Sequence, residues 1–228
     1  MPGRARAAPE RSGPAAGGWG AVSAAQGGPR HEVDVAGLPP GAAYRWLTAS
    51  VVPRPVAWVS TTSADGVDNL APHSFFTVAS ADPPVVCFTS VGTKDTLRNV
   101  RATGELVVCL APRGLSDAVN ATATDYPPGT SEFDAVGLAR EPSARVRPPR
   151  VAGSPLALEC RSAGERSFGR STVVFAEVVH VAVAPGVLAA DGLPDPRRLD
   201  PASRLGRHEW GALGEVYDLR RVPYADLR

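Results

Sequence analysis

"NLAPHSFF", Asn69 to Phe76, does not alternate as a half-buried strand should. One parity carries Asn69, Ala71, His73 and Phe75; the other carries Leu70, Pro72, Ser74 and Phe76. Neither face is wholly apolar, and a proline interrupts the run. The stretch gathers an amide, a hydroxyl, an imidazole and aromatic rings, with no carboxylate or cysteine among them. What such a strand would gather these groups for is the question the rest of the sequence has to answer.

The flanking sequence is rich in strands. "PVAWVSTT" (Pro55 to Thr62) reads as a strand, and "SADG" (Ser63 to Gly66) as a hairpin turn in which Asp-Gly supplies a positive φ. Asn69 to Val78 is the expected return strand, followed by a strand over "PPVVCFTS". "TKDTLRNVRATG" reads as a helix, with Thr93 a candidate N-cap, Leu97 and Val100 spaced for burial, and Gly104 ending it. "ELVVCLA" is a strand and "GLSDAVNATATDY" a helix. Residues 127 to 153 form a Pro-, Gly- and Arg-rich excursion with one turn at "SEFDAVG". Two long strands, "PLALECRSA" and "STVVFAEVVHVAVA", are joined through "GERSFGR". Further upstream, "GAAYRWLTAS" is a short helix and "HEVDVAG" a candidate first strand. The order is β with hairpins and inserted helices. It lacks βαβ alternation and a G-x-G-x-x-G after a strand, which argues against a Rossmann domain and for a closed or nearly closed β-barrel.

Composition narrows the function classes. In 228 residues, 43% are hydrophobic and 21% charged, and the formal net charge is +1. That balance suits a soluble globular chain and gives no global field for nucleic acid or membrane. No apolar run reaches membrane-spanning length. Residues 1–30 are Ala-, Gly-, Pro- and Arg-rich without an apolar core, and read as a disordered extension rather than a secretory signal. Residues 31–228 are read as the folded domain. Cys87, Cys109 and Cys160 each sit in an apolar run, which points to core thiols in a reducing cytoplasm rather than a disulfide or metal site.

No G-x-S-x-G, H-E-x-x-H or P-loop is present, and the four histidines are scattered. Small polar groups cluster instead. Ser60, Thr61 and Thr62 end one strand, Asn69 and Ser74 lie on its partner, and Ser90, Thr93, Lys94, Asp95 and Thr96 surround a helix start. Lys94 is the chain's one lysine, the other basic residues being arginines. Two readings of that helix start stand. It is a phosphate site built from free N–H groups, the helix dipole and Lys94, or it is an ordinary capped terminus. Arg54, before Pro55, is either a ligand contact or a surface residue, and Trp58 is expected in the core.

Taken in order, "VVPRPVAWVSTTSADGVDNLAPHSFFTVASADPPVVCFTS", "TKDTLRNVRATGELVVCL", "NATATDYPPGTSEFDAVGL", "RVRPPRVAGSPLALEC" and "RLGRHEWGALGEVYDLRRV" resemble the flavin reductase-like family. The resemblance implies a mainly β fold with inserted helices, the FMN-binding split β-barrel, as a homodimer. It implies that Arg54, Pro55, Ser60, Thr61, Thr62, Asn69, Ala71, Pro72, Ser74 and Phe75 line the flavin. Ser90, Lys94, Asp95, Thr96 and Asn99 are implied at the phosphate and ribityl chain. His73 and Trp210 depart from common family residues, and are candidate substrate-side groups above the ring.

The implied activity is hydride transfer from NADH or NADPH to FMN, possible supply of reduced flavin to a monooxygenase partner included. The flavin would carry the redox chemistry, which accounts for the missing triad. The alternatives are an FMN-containing oxidoreductase or electron carrier with a specialised substrate, and a non-catalytic flavin-binding module.

Overall fold

The computed structural model describes residues 28–227. All but the last three residues of the expected 1–30 extension lie outside them. In chain order the elements are α1 (Ala42–Ser50), β1 (Arg54–Pro55), β2 (Ala57–Thr62), β3 (Asp68–His73), β4 (Phe76–Ser80), β5 (Val85–Val91) and α2 (Asp95–Thr103). Then come β6 (Glu105–Leu110), α3 (Ser116–Ala121), α4 (Glu132–Val136), β7 (Arg140–Glu141) and β8 (Arg150–Val151). The last are β9 (Leu156–Phe168), β10 (Ser171–Val183), α5 (Pro196–Leu199), β11 (Ser203–Arg204) and β12 (Trp210–Gly211).

Seven strands form one sheet in the order β3-β2-β6-β9-β10-β5-β4, with antiparallel pairing throughout. β3 is one edge and β4 is the other, yet only Ser74 and Phe75 separate them in sequence. The chain therefore steps from one edge of the sheet directly to the opposite edge. The sheet must curl until its edges meet, in the direction its right-handed twist already favours. The seam is explicit: Thr89 of β5 donates its N–H to the Phe75 carbonyl at 2.9 Å. Thr89 also receives the His73 Nδ1–H on its own carbonyl at 3.2 Å.

The expected single strand Asn69–Val78 is thus two strands broken at the seam. The irregular alternation of "NLAPHSFF" records a segment that changes neighbours midway. Pro72 is tolerated because β3 is an edge.

Two cores lie on the two faces of this sheet. The inner one contains Ala57, Val59, Phe88, Leu106, Val174 and Cys160, with Leu97 and Val100 of α2 packed onto it. The outer one contains Trp58, Leu70, Val107 and Cys109, covered by Val119 of α3 and Phe133 of α4. With both faces covered, every residue of β2 is buried, so its sequence cannot alternate. Trp58 is a core residue, and its Nε1–H is satisfied by Thr122 Oγ1 at 2.9 Å.

Other local expectations are corrected. "HEVDVAG" is no strand but a 3-10 turn over Val35–Gly37, capped by the Asp34 carboxylate. The helix expected over "GLSDAVNATATDY" ends at Ala121, and β9 runs through "GERSF" instead of stopping before it. The seven-stranded sheet and both cores belong to one compact unit, Tyr44–Leu213; the second unit comprises the chain up to Ala43 and from Gly214.

Glu159 of β9 pins the 127–153 excursion to the sheet. Its fully buried carboxylate accepts the N–H groups of Ala144 (2.9 Å) and Arg145 (2.6 Å) and the Arg150 guanidinium. Burial pushes its pKa up, but the Ala144, Arg150 and Arg145 donors outweigh that and hold it below the ordinary carboxylate value. Glu159→Ala leaves two N–H groups unpaired and the half-buried Arg150 with Glu141 as its remaining carboxylate partner, and the expected destabilisation is about 3 kcal/mol in urea unfolding.

Candidate functional site

A cavity of about 390 Å³ opens beside the seam. β3 and β5 share no ladder. The space next to them is lined by Asn69, Ala71, Pro72 and His73 from β3, Ser74 and Phe75 from the crossing, and Thr89 to Val91 from β5. The start of α2 supplies Thr93 to Thr96 and Arg98.

At the α2 end the expected cap is corrected. Lys94, not Thr93, is the N-cap residue, and no side chain caps the first turn. The first-turn N–H groups have no partner within the helix, and with the dipole they make this end of the cavity a candidate anion site. Lys94 Nζ lies 2.6 Å from Asp125 Oδ1, and both side chains are largely exposed. The Lys94 ammonium holds the Asp125 carboxyl below its ordinary value.

Beneath the lining is a buried amide–hydroxyl network. Asn69 Nδ2 donates to Thr96 Oγ1 (3.0 Å) and Thr61 Oγ1 (3.3 Å), and Asn99 Nδ2 donates to the same Thr61 oxygen (3.1 Å). Asn69 and Thr96 therefore reach the cavity, while Thr61 and Asn99 orient them from behind. Thr62 is tied to Asp68 at 2.8 Å, and the buried Ser60 hydroxyl has no partner; neither lines the cavity.

At the other end the wall is aromatic. Tyr44 of α1 and Phe75 face each other with ring centroids 6.3 Å apart. Arg54 sits 5.9 Å from the Phe75 ring, but its guanidinium donates to the carbonyls of Thr48, Val51 and Leu205. Arg54 is buried, so the surface reading fails. It supports Phe75 from outside the lining, and Pro55 is exposed beside it. Trp210 packs on the outer core under the Arg204 guanidinium, away from the cavity.

Among the lining groups that sequence reasoning missed are Tyr44, Asp125, Tyr126 and Glu132. Glu132 accepts the Leu70 N–H at 2.8 Å and is 7% exposed. Burial pushes its carboxyl above the ordinary value. The available signal was an acidic residue directly before Phe133, whose burial fixes the orientation of α4.

No cysteine lines the cavity. Burial pushes the Cys109 and Cys160 thiols up to about 12. No His/Cys/Asp/Glu group suited to a metal occurs among the described residues. What remains is a cation at a helix start, buried amides and hydroxyls, and an aromatic wall. These fit a planar heteroaromatic group carrying a phosphate.

Comparisons with known proteins agree. The flavin reductase like domain matches residues 49–199. An uncharacterised protein of Deinococcus radiodurans is 37% identical over 204 residues, covering 84% of this chain and 90% of its own. Nitrilotriacetate monooxygenase component B from Bacillus cereus superposes with a TM-score of 0.80 at 29% identity, covering 85% of this chain and 100% of that one. The 2-nitrobenzoate 2-nitroreductase of Pseudomonas fluorescens gives 0.77 at 28% identity, covering 85% and 97%. The fold is a mainly β split barrel of the flavin-linked oxidoreductase class. The chain belongs to the flavin reductase-like family.

His73 gives the seam a titration signature. Burial lowers its pKa to about 4, against the bond to Thr89, and its ring packs on Phe88 with centroids 4.7 Å apart. An unfolded histidine titrates near 6.5, so the unfolded chain takes up this proton first. Stability is therefore expected to fall as pH drops from about 6.5 to about 4, by up to about 3 kcal/mol. Urea unfolding of wild type and His73→Gln across that range checks it: the variant should lack this component.

Proposed function

We propose that the cavity binds FMN, and that the protein transfers a hydride from NADH or NADPH to it. One observation carries the reading: a single cavity joins the uncapped start of α2, with the chain's one lysine, to the aromatic corner of "NLAPHSFF". Lys94 and the first turn of α2 would hold the phosphate. Ser90, Asn69 and Thr96 would meet the hydroxylated chain, with Asp95 at its side. Ala71, Pro72 and Ser74 would edge the ring system, and Phe75 with Tyr44 would wall it.

The bound flavin would supply the hydride-accepting chemistry. The chain's own task is positioning. Thr61 and Asn99 fix the Asn69 amide, and the seam fixes Phe75. His73, kept neutral by burial, adds no charge near the ring.

A homodimer is part of the proposal. Tyr44, Leu47, Val51 and Val52 expose apolar surface along and just after α1, beside a cavity wall. A second copy covering that face would also shelter Tyr44. A monooxygenase component receiving reduced flavin is the proposed partner, by analogy with what the Bacillus cereus relative is called. Three free thiols accord with a reducing, cytoplasmic setting. No described helix is long and apolar enough to cross a membrane.

Purified protein with excess FMN should oxidise NADH or NADPH over many turnovers, seen as loss of the nicotinamide's near-ultraviolet absorbance. No turnover with either nucleotide would exclude the reductase activity. Lys94→Gln should weaken FMN by about 10- to 100-fold, the worth of a charged hydrogen bond, and leave riboflavin unchanged. Equal losses for both flavins would place the phosphate elsewhere.

A further inference from the structure

Glu132 is the one carboxylate of the cavity wall without a counter-charge among the described residues. Every neighbouring charge is committed elsewhere. On α2, Asp95 pairs with Arg98, and Lys94 pairs with Asp125 of the segment after α3. Tyr126 of that segment gives its hydroxyl to the Ala121 carbonyl. On β7, Arg140 binds Asp68 of β3, Asp134 of α4 itself and the Ser131 hydroxyl. His73 of β3 is neutral above about pH 4. Glu132 is left with the Leu70 N–H at 2.8 Å and its own N–H.

Burial already pushes its carboxyl upward despite those two bonds. A ligand that fills the cavity strips the remaining water from it. A phosphorylated ligand also brings negative charge. Both changes oppose the ionised form. We propose that Glu132 takes up a proton as the cavity fills, so that flavin binding is proton-coupled and a neutral carboxylic acid faces the bound ligand. This rests on the flavin reading above. The protonated group becomes a hydrogen-bond donor, so it suits an acceptor on the ligand, which an ionised carboxylate would repel.

The sign follows from linkage. If the carboxyl is more basic in the complex than in the free protein, affinity is greatest below the free-protein value. It falls by up to about tenfold per pH unit between the two values, and levels off above the higher one. The phosphate has its own ionisation near pH ~6 and adds a separate dependence. That dependence is common to wild type and variant, and riboflavin lacks it.

The test is calorimetric binding of FMN, and separately of riboflavin, in buffers of different ionisation enthalpy at several pH values between about 5 and 8, for wild type and Glu132→Gln. Glutamine keeps an acceptor for the Leu70 N–H and imitates the neutral acid. Wild type should take up more protons per flavin than the variant, with both ligands. The variant should bind about tenfold or more tightly than wild type at the alkaline end, and nearly equally at the acid end. Equal proton counts in the two proteins would overturn the proposal, as would a normally melting variant that binds more weakly at every pH. If the variant does not fold, wild type decides alone: no proton uptake with riboflavin overturns it. If neither protein binds either flavin, the flavin reading itself falls, and the proposal with it.

Discussion

The fold depends on one topological constraint. Two residues, Ser74 and Phe75, carry the chain from one edge of a seven-stranded sheet to the other. An open sheet would leave two unpaired edges, a recognised liability. Here the covalent chain forbids the open form, and Thr89 stitches the edges with both of its backbone groups. The inner core is a consequence. Once the sheet curls, Ala57, Val59, Phe88 and Val174 face one another across a closed interior. The outer core then needs separate cover, which α3 and α4 provide.

The cavity arises from the same constraint. A strand that changes sheet edges cannot pair on both sides at the crossing, so backbone and side chains there are left for something else. α2 closes the barrel beneath through Leu97 and Val100, and this brings its uncapped start beside the crossing. The start of α2 and the aromatic wall thus share one cavity. Arg54 supports this from outside. Burial and the nearby Arg204 lower its pKa, yet three carbonyls keep it in place behind Phe75.

Much of this was legible in the sequence, for physical reasons that differ by residue. The β2–β3 hairpin is local: Ser63–Gly66 closes with Gly66 at φ +87°, as Asp-Gly predicts. Gly104 likewise ends α2 in the left-handed region. The grouping of Asn69, Phe75, Ser90, Lys94 and Thr96 around one cavity came from the family resemblance, since spacing alone left the helix start undecided. The break at the seam was hidden because both halves are strand-like, and only the long-range partner distinguishes them. Glu132 was hidden for a similar reason. Its role comes from a bond to Leu70, 62 residues away, and from the burial of Phe133 beside it. Arg54 was undecidable because carbonyls, unlike carboxylates, leave no trace in sequence.

Two of the cavity's three carboxylates, Asp125 and Glu132, illustrate how environment divides roles between like groups. Asp125 is exposed and paired with Lys94. Such pairs are worth only about 0–1 kcal/mol, so the phosphate of the proposed ligand would displace Asp125 from the lysine at little cost. Glu132 is buried, held by strand β3 through Leu70, and has no cation to share. It is held in place, so the proposed response to an approaching anion is a change of protonation instead. A binding site for a phosphorylated redox cofactor that must also release it gains from both devices. On the proposed reading, the exposed pair would keep the lysine from binding the phosphate too tightly, and the buried acid would link occupancy to pH. Neither depends on a catalytic nucleophile, which agrees with a cavity that no cysteine lines, Cys109 and Cys160 being buried in the two cores and Cys87 half-buried on β5.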